Sequence, residues 1–234
     1  FDSFDAGWEA PALPGAMPGP RRHEYLVPLS GNADEPWPEL ARTHRRHLRT
    51  GDRSGWLLRR LAGPVGVEAL QRALDHAAER RLQRGQFMGT SLSGLREPSG
   101  AVSAPWGSDI FACYEGELLL GAVLVGWTRR RAYYIRGGST PEGYQRSASV
   151  WLHCAVMRTL AQRGLALYNL GGTPATAERP EDEQHGLHRF KCGFGAEVVR
   201  CRGARWCLDR RHQRVHHAAA WVSGWLGAVG SAAR

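Results

Sequence analysis

The chain has 234 residues, 42% of them apolar, and a formal net charge of +9, which is enough for one real core and excludes wholesale disorder. No run reaches the roughly 18 apolar residues of a membrane-spanning helix, and Phe1-Asp2-Ser3-Phe4 shows neither the basic stretch nor the apolar segment of a signal peptide, so a cytoplasmic protein is expected. The five cysteines are odd in number and form no C-x-x-C pair, which argues against a disulfide framework and a zinc finger and for a reducing setting.

The charge points to an anionic partner: nucleic acid, a phosphate-bearing substrate or a membrane surface. Of the 31 basic residues, 30 are Arg and one is Lys, and Asn and Ile occur twice each. A GC-rich genome produces such a bias, so part of the Arg excess stands where lysines would otherwise sit. Lys191 is the exception in a chain that has shed lysine. There is no initiator Met, so a fragment or a processed form is expected.

In chain order, residues 1–22 carry Pro11, Pro14, Pro18 and Pro20 and read as a linker or surface strap. His23 to Leu29 reads as a short strand. Pro36 to about Thr50 reads as a helix with Trp37, Leu40 and Leu48 on one side. Trp56-Leu57-Leu58 reads as a strand and Val67 to Arg84 as a second helix, with Leu70, Leu74, Ala77, Ala78 and Leu82 at helical spacing. Arg80, Arg81 and Arg84 crowd its end as a charge run with no assigned role. Residues 88–107 read as a loop.

The middle of the chain is the clearest. Ile110 to Tyr114, Glu117 to Trp127 and Ala132 to Arg136 read as three consecutive strands, with turns at Glu115-Gly116 and Arg129-Arg130. Gly137 to Gly143 reads as a loop of phosphate-loop character. A helix follows from about Ser147 to Arg163, ended by Gly164. Ala166 to Leu170 is a buried-type strand that Gly171-Gly172 stops, parallel and adjacent to the strand before the helix. After a polar loop over 173–183 come a short helix from His185 to Lys191, strands near 196–201 and 204–208, and a tail helix from Asp209. The order is α+β: a mixed, mostly antiparallel sheet flanked by helices, with an anion-friendly loop before the central helix.

Three words narrow this further. Tyr133-Tyr134-Ile135-Arg136-Gly137-Gly138-Ser139 closes the meander, Tyr168-Asn169-Leu170-Gly171-Gly172 follows the helix, and Phe190-Lys191-Cys192-Gly193-Phe194-Gly195 comes about twenty residues later. Together they resemble the Fem family of aminoacyl-tRNA-dependent transferases that build peptidoglycan cross-bridges, and the related Fem-like GNAT proteins of polysaccharide and natural-product pathways. The resemblance covers roughly residues 23–208 and is strongest over 110–201. It implies a GNAT fold over residues 31–208, with residues 1–30 a linker or the remnant of a preceding domain and 209–234 a C-terminal helix. It also implies N-acyl transfer to an amine, with aminoacyl-tRNA or acyl-CoA as co-substrate and no bound cofactor. The Q/R-x-x-G-x-G/A phosphate loop of acetyl-CoA-dependent relatives is absent; Gln145-Arg146-Ser147-Ala148-Ser149 stands in its place.

Lys191 is the candidate catalytic residue. Its ammonium either stabilises the oxyanion formed when an amine attacks the carbonyl or pairs with a donor phosphate. Candidate donor- or substrate-binding residues are Tyr134, Arg136, Ser139 and Arg146 around the loop and central helix, Gly171 and Gly172 at the end of the strand, and Phe190, Gly193 and Phe194 around Lys191. No side chain is an obvious general base, which leaves water or the substrate. Cys192 reads as packing. His212 and His216 have metal-ligand spacing without a partner to complete the set, so no metal is expected. The apolar part of the tail, with Trp221, Val222, Trp225, Leu226 and Val229, is read as docking on protein; the alternative is a membrane interface, where a lipid-linked acceptor would lie. The rival to an enzyme is a non-catalytic GNAT-like scaffold for RNA or another anionic partner.

Overall fold

Strict alternation of side chains across a strand sorts the middle of the chain onto two faces. The computed structural model describes residues 17–29, 32–85, 92 and 106–205. Its elements in order are β1 (Met17–Pro28), α1 (Arg42–Arg53), β2 (Leu57–Leu61), α2 (Gly63–Leu82), β3 (Trp106–Glu115), β4 (Leu118–Thr128), β5 (Arg131–Ser139), α3 (Pro141–Gln145), α4 (Ala148–Gln162), β6 (Leu167–Pro174), a 3-10 turn (Ala175–Glu178), α5 (His185–Cys192) and β7 (Glu197–Arg205). Seven strands form one sheet in the order β2-β3-β4-β5-β6-β1-β7. Strands β2 to β5 pair antiparallel and β5 pairs parallel with β6, the mixed α+β sheet expected.

One sheet face presents Ile110, Ala112 and Leu124 to Leu70, Ala73 and Leu74 of α2. The other presents Phe111, Val123 and Val125 to Trp151, Val156, Met157 and Leu160 of α4. Helix α1 covers α4, with Trp56 and Trp151 edge to face at 6.0 Å. By compactness the chain divides into a larger unit, 23–200, and a second one made of 1–22 and 201–234, of which the strand ends 17–22 and 201–205 are described.

Several expected boundaries move. The strand expected over His23 to Leu29 is present and starts earlier, β1 running from Met17 to Pro28 within the sheet. The first helix starts at Arg42, not Pro36, because Pro36 and Pro38 disfavour helical backbone at the residues before them; Trp37 and Leu40 are buried all the same. Gly137-Gly138-Ser139 is not a loop but the end of β5, and β6 runs through Gly171-Gly172 to Pro174. Residues 197–205 form one strand where a break was expected; residues 206–208, the tail helix, His212 and His216 lie outside the described residues, as does most of 88–107.

Asp109 is 3% exposed and accepts from Arg60 Nε at 2.7 Å, Trp127 Nε1 at 2.8 Å and Arg163 Nη1 at 2.6 Å. Both arginines reach solvent, whereas Trp127 is buried. Asp109→Ala is therefore expected to cost about 2 kcal/mol, chiefly by orphaning the indole N–H; chemical denaturation reads it, and an unchanged midpoint would contradict the assignment.

Candidate active site

The site begins where two parallel strands part. β5 and β6 pair from Arg131↔Leu167 to Tyr133↔Asn169, and then run on to Ser139 and Pro174. Against β4, Val125 faces Tyr134 and Leu124 faces Arg136, so Ile135 is an extra residue. Such a bulge bends the strand and re-aims the side chains around it.

A cleft of about 610 Å³ opens along the bulged end of β5; Lys191, Gly171 and Gly172 are not among the residues that line it. The end of helix α2 contributes Arg80 and Arg81, the turn after it Arg84, and β5 contributes Tyr134, Gly137, Gly138 and Ser139. Ser149 and His153 come from α4, and Phe190 from α5. Of the sequence-predicted residues, Tyr134, Ser139 and Phe190 thus share one cavity.

Lys191 stands at the junction itself. Its Nζ donates to the carbonyls of Gly171 at 2.9 Å and Gly172 at 3.0 Å. A methyl group on Gly171 would lie 3.6 Å from the Tyr134 carbonyl oxygen and 3.8 Å from Lys191 Nζ, so the ammonium and the cleft wall flank the same spot. The aromatic ring of Tyr25 lies 5.1 Å below Nζ, with its hydroxyl 2.8 Å from Thr173 Oγ1 and from His188 Nδ1. Gly171 supplies the left-handed turn (φ 76°) that aims two successive carbonyls at one ammonium, and its N–H donates to Asn169 Oδ1 at 2.7 Å. Lys191 is 5% exposed. Burial pulls its pKa down to about 8, assisted by the Arg81 charge and opposed by Glu24. An ammonium has three N–H donors, and two of those of Lys191 go to these carbonyls.

The rest of the F-K-x-G-F-G word holds Lys191 in place. A side chain on Gly193 would strike the His44 ring at 2.5 Å, and one on Gly195 the Glu39 carbonyl at 2.2 Å. These close approaches let the start of α1 sit against α5, where His44 Nε2 meets the Phe190 carbonyl at 2.9 Å and the Ala41 N–H donates to the Gly193 carbonyl at 2.8 Å. Phe194 is fully buried, its ring packed on His44 and Phe190 at 4.6 and 5.2 Å. Gly193 and Phe194 thus pack around Lys191 and do not line the cleft. Arg146 forms a bidentate pair with Glu115, its guanidinium lies 5.1 Å from the Trp56 ring, and it does not line the cleft. Nor does Arg136, which stands across from Leu124 beyond the bulge.

His153 was missed by the sequence reading. It sits among Val150, Trp151, Cys154 and Met157 on an apolar helix face, and its only signal was being the polar residue there. It is 5% exposed, with Nδ1 3.1 Å from the Tyr168 hydroxyl. Burial, then the charges of Lys191 and His44, push its pKa down to about 3. Neutral imidazole is what it presents, a hydrogen-bonding group and a weak proton acceptor. Cys192 lies 3.7 Å from His188 Nε2, but burial pushes its thiol pKa up, against a thiolate nucleophile.

Residues 108–205 match the family model of the FemAB family. The crystal structure of FemX superposes with a TM-score of 0.60 at 14% identity, covering 86% of this chain and 64% of that one. Over residues 108–205 the chain is similar to the FemAB family, and it shares the fold of FemX. L-PGS from Bacillus licheniformis superposes with a TM-score of 0.53 at 12% identity, covering 83% of this chain and 63% of its own. The chain thus spans less than two thirds of the length of either structure. No curated protein matches the sequence significantly. The matched span contains Tyr134, Gly171, Phe190 and Lys191; the arginines of α2 lie outside it. Among the described residues no helix is long and apolar enough to cross a membrane.

Proposed function

We propose that this chain transfers an aminoacyl group from aminoacyl-tRNA to an amine of a cell-wall, polysaccharide or natural-product precursor, a reaction of the cytoplasm. The observation that carries the reading is the buried Lys191 ammonium at the parting of β5 and β6, beside a cleft large enough for the end of a donor. The Fem-like fold supports it. The amine nitrogen attacks the ester carbonyl, the carbonyl oxygen takes negative charge, and the third N–H of Lys191 stabilises it. Collapse breaks the bond to the ribose oxygen; the amine loses a proton and the leaving oxygen gains one. His153 at its depressed pKa is a poor relay, so the proton passes through water or between the substrates themselves.

Missing amide-rich phosphate-loop glycines argue for this donor over acyl-CoA. The test is to incubate the full-length protein with charged tRNA and, separately, with acetyl-CoA, following transfer to candidate amines by mass spectrometry. Transfer from charged tRNA is expected, with donor affinity falling steeply between low and moderate salt as phosphate counterions are released. Transfer from acetyl-CoA with a flat salt response would replace the donor. Binding of tRNA without turnover of either donor would favour the RNA scaffold.

A further inference from the structure

The mechanism above leaves one wall of the cleft unused. Arg80, Arg81 and Arg84 line it from the end of α2 and the turn after it, and Glu183 is the one carboxylate among the described lining residues. Like charges four apart on a helix repel. Cations near a helix C-terminus complement its dipole, which accounts for basic residues there but not for how these are held. The guanidinium of Arg80 lies 4.6 Å from the centre of the Tyr144 ring, and Arg84 Nη2 donates to the Tyr144 hydroxyl at 2.9 Å. Tyr144 of α3 thus braces two guanidiniums side by side. Nη1 of Arg80 is closed off from solvent with no hydrogen-bond partner among the described residues. A ligand in the cleft does not reach that shielded nitrogen and would meet the exposed Arg84 and the part of Arg80 that lines the cavity. The hydroxyl-bearing Ser149, at the start of α4, lines the same cavity.

We propose that Arg80 and Arg84, braced by Tyr144, form a subsite for a phosphoester oxyanion at the donor end of the cleft, in the place where a backbone-amide loop is missing. A guanidinium fork grips phosphate through two parallel N–H bonds, which an ammonium cannot reproduce. The inference rests on the reading of the cleft as the donor site. Its phosphate comes either from the terminal phosphodiesters of tRNA or from the diphosphate of a coenzyme A thioester.

Inorganic pyrophosphate, titrated calorimetrically into the full chain, tests the subsite without any turnover. The R80Q/R84Q double variant is expected to bind it at least tenfold more weakly than the wild type with an unchanged melting temperature, and Arg80→Lys, which keeps the charge and loses the fork, to fall in between. Equal affinities for wild type and double variant, or no binding by the wild type, would overturn the subsite. In acyl transfer, a rise in KM of the double variant confined to charged tRNA assigns the phosphate to tRNA, and one confined to acetyl-CoA assigns it to the coenzyme. Arginine-dependent pyrophosphate binding in a protein that turns over no donor would leave the subsite standing and defeat the proposed activity. Turnover with an unaltered donor KM in R80Q/R84Q would do the reverse.

Discussion

Lys191→Met is expected to lower acyl transfer by about two to three orders of magnitude, the usual cost of removing an oxyanion donor, while making the folded chain more stable at neutral pH. Both effects come from the same burial. The ammonium is 5% exposed and its pKa falls from 10.5 to about 8. The folded state therefore resists the charged form by on the order of 3 kcal/mol. Between pH 8 and 10.5 the unfolded chain holds the proton and the folded chain has released it, so stability rises with pH across that window. Below the folded pKa the whole penalty is present. Met has no charge to desolvate and fills a similar volume. It gives up the bonds to the Gly171 and Gly172 carbonyls, but neither glycine is buried, and water can replace them. A net gain of about 1–2 kcal/mol is expected. Turnover assays and thermal melts read the two halves; full turnover in the variant would remove Lys191 from the chemistry, and a markedly lower melting temperature would make it a structural strut.

Gly138→Ala is expected to be the costliest single methyl group among the glycines that line the cleft. A Cβ there would stand 2.1 Å from the Ala73 carbonyl oxygen and 3.1 Å from the Ala77 Cβ. The first of these is backbone in the middle of a 20-residue helix and cannot swing aside as a side chain can, so α2 must lift from the sheet or β5 must buckle. About 3 kcal/mol is expected, a drop of roughly 10 °C in melting temperature for a domain of this size. Gly186→Ala is the matched control: it is helical, with open space where its Cβ would go, and should be neutral or slightly stabilising. Equal melting temperatures for the two variants would mean that the close approach of α2 to β5 is not what Gly138 is for.

Those two positions also mark where the sequence was legible. The meander was readable because its side chains alternate and its turns carry the residues turns demand, both local properties. Lys191 stood out because it is the single lysine of the chain. Glycine words were ambiguous, because glycine marks an anion loop and a close backbone approach alike. Gly138 makes room for Ala73, and Gly193 for His44, each far away in sequence. Arg146 occupies the position of a phosphate-loop residue, but Glu115, at the far end of β3, claims it. Arg80 looked like part of a solvated charge run until Tyr144, on a different helix, turned its guanidinium into the cleft. What the sequence could not show was in each case a partner set by the tertiary fold.

The central claim is that the charged form of Lys191 does the work. Its most direct test is the pH dependence of single-turnover aminoacyl transfer from charged tRNA, using an amine acceptor that is already unprotonated at neutral pH. For the wild type the rate should fall as pH rises, with a midpoint near the Lys191 pKa of about 8, and the fall should vanish in any residual activity of Lys191→Arg, whose guanidinium stays charged throughout. A wild-type rate that instead climbs through the same pH range would mean that the neutral amine of Lys191 acts as a base, and would contradict the account.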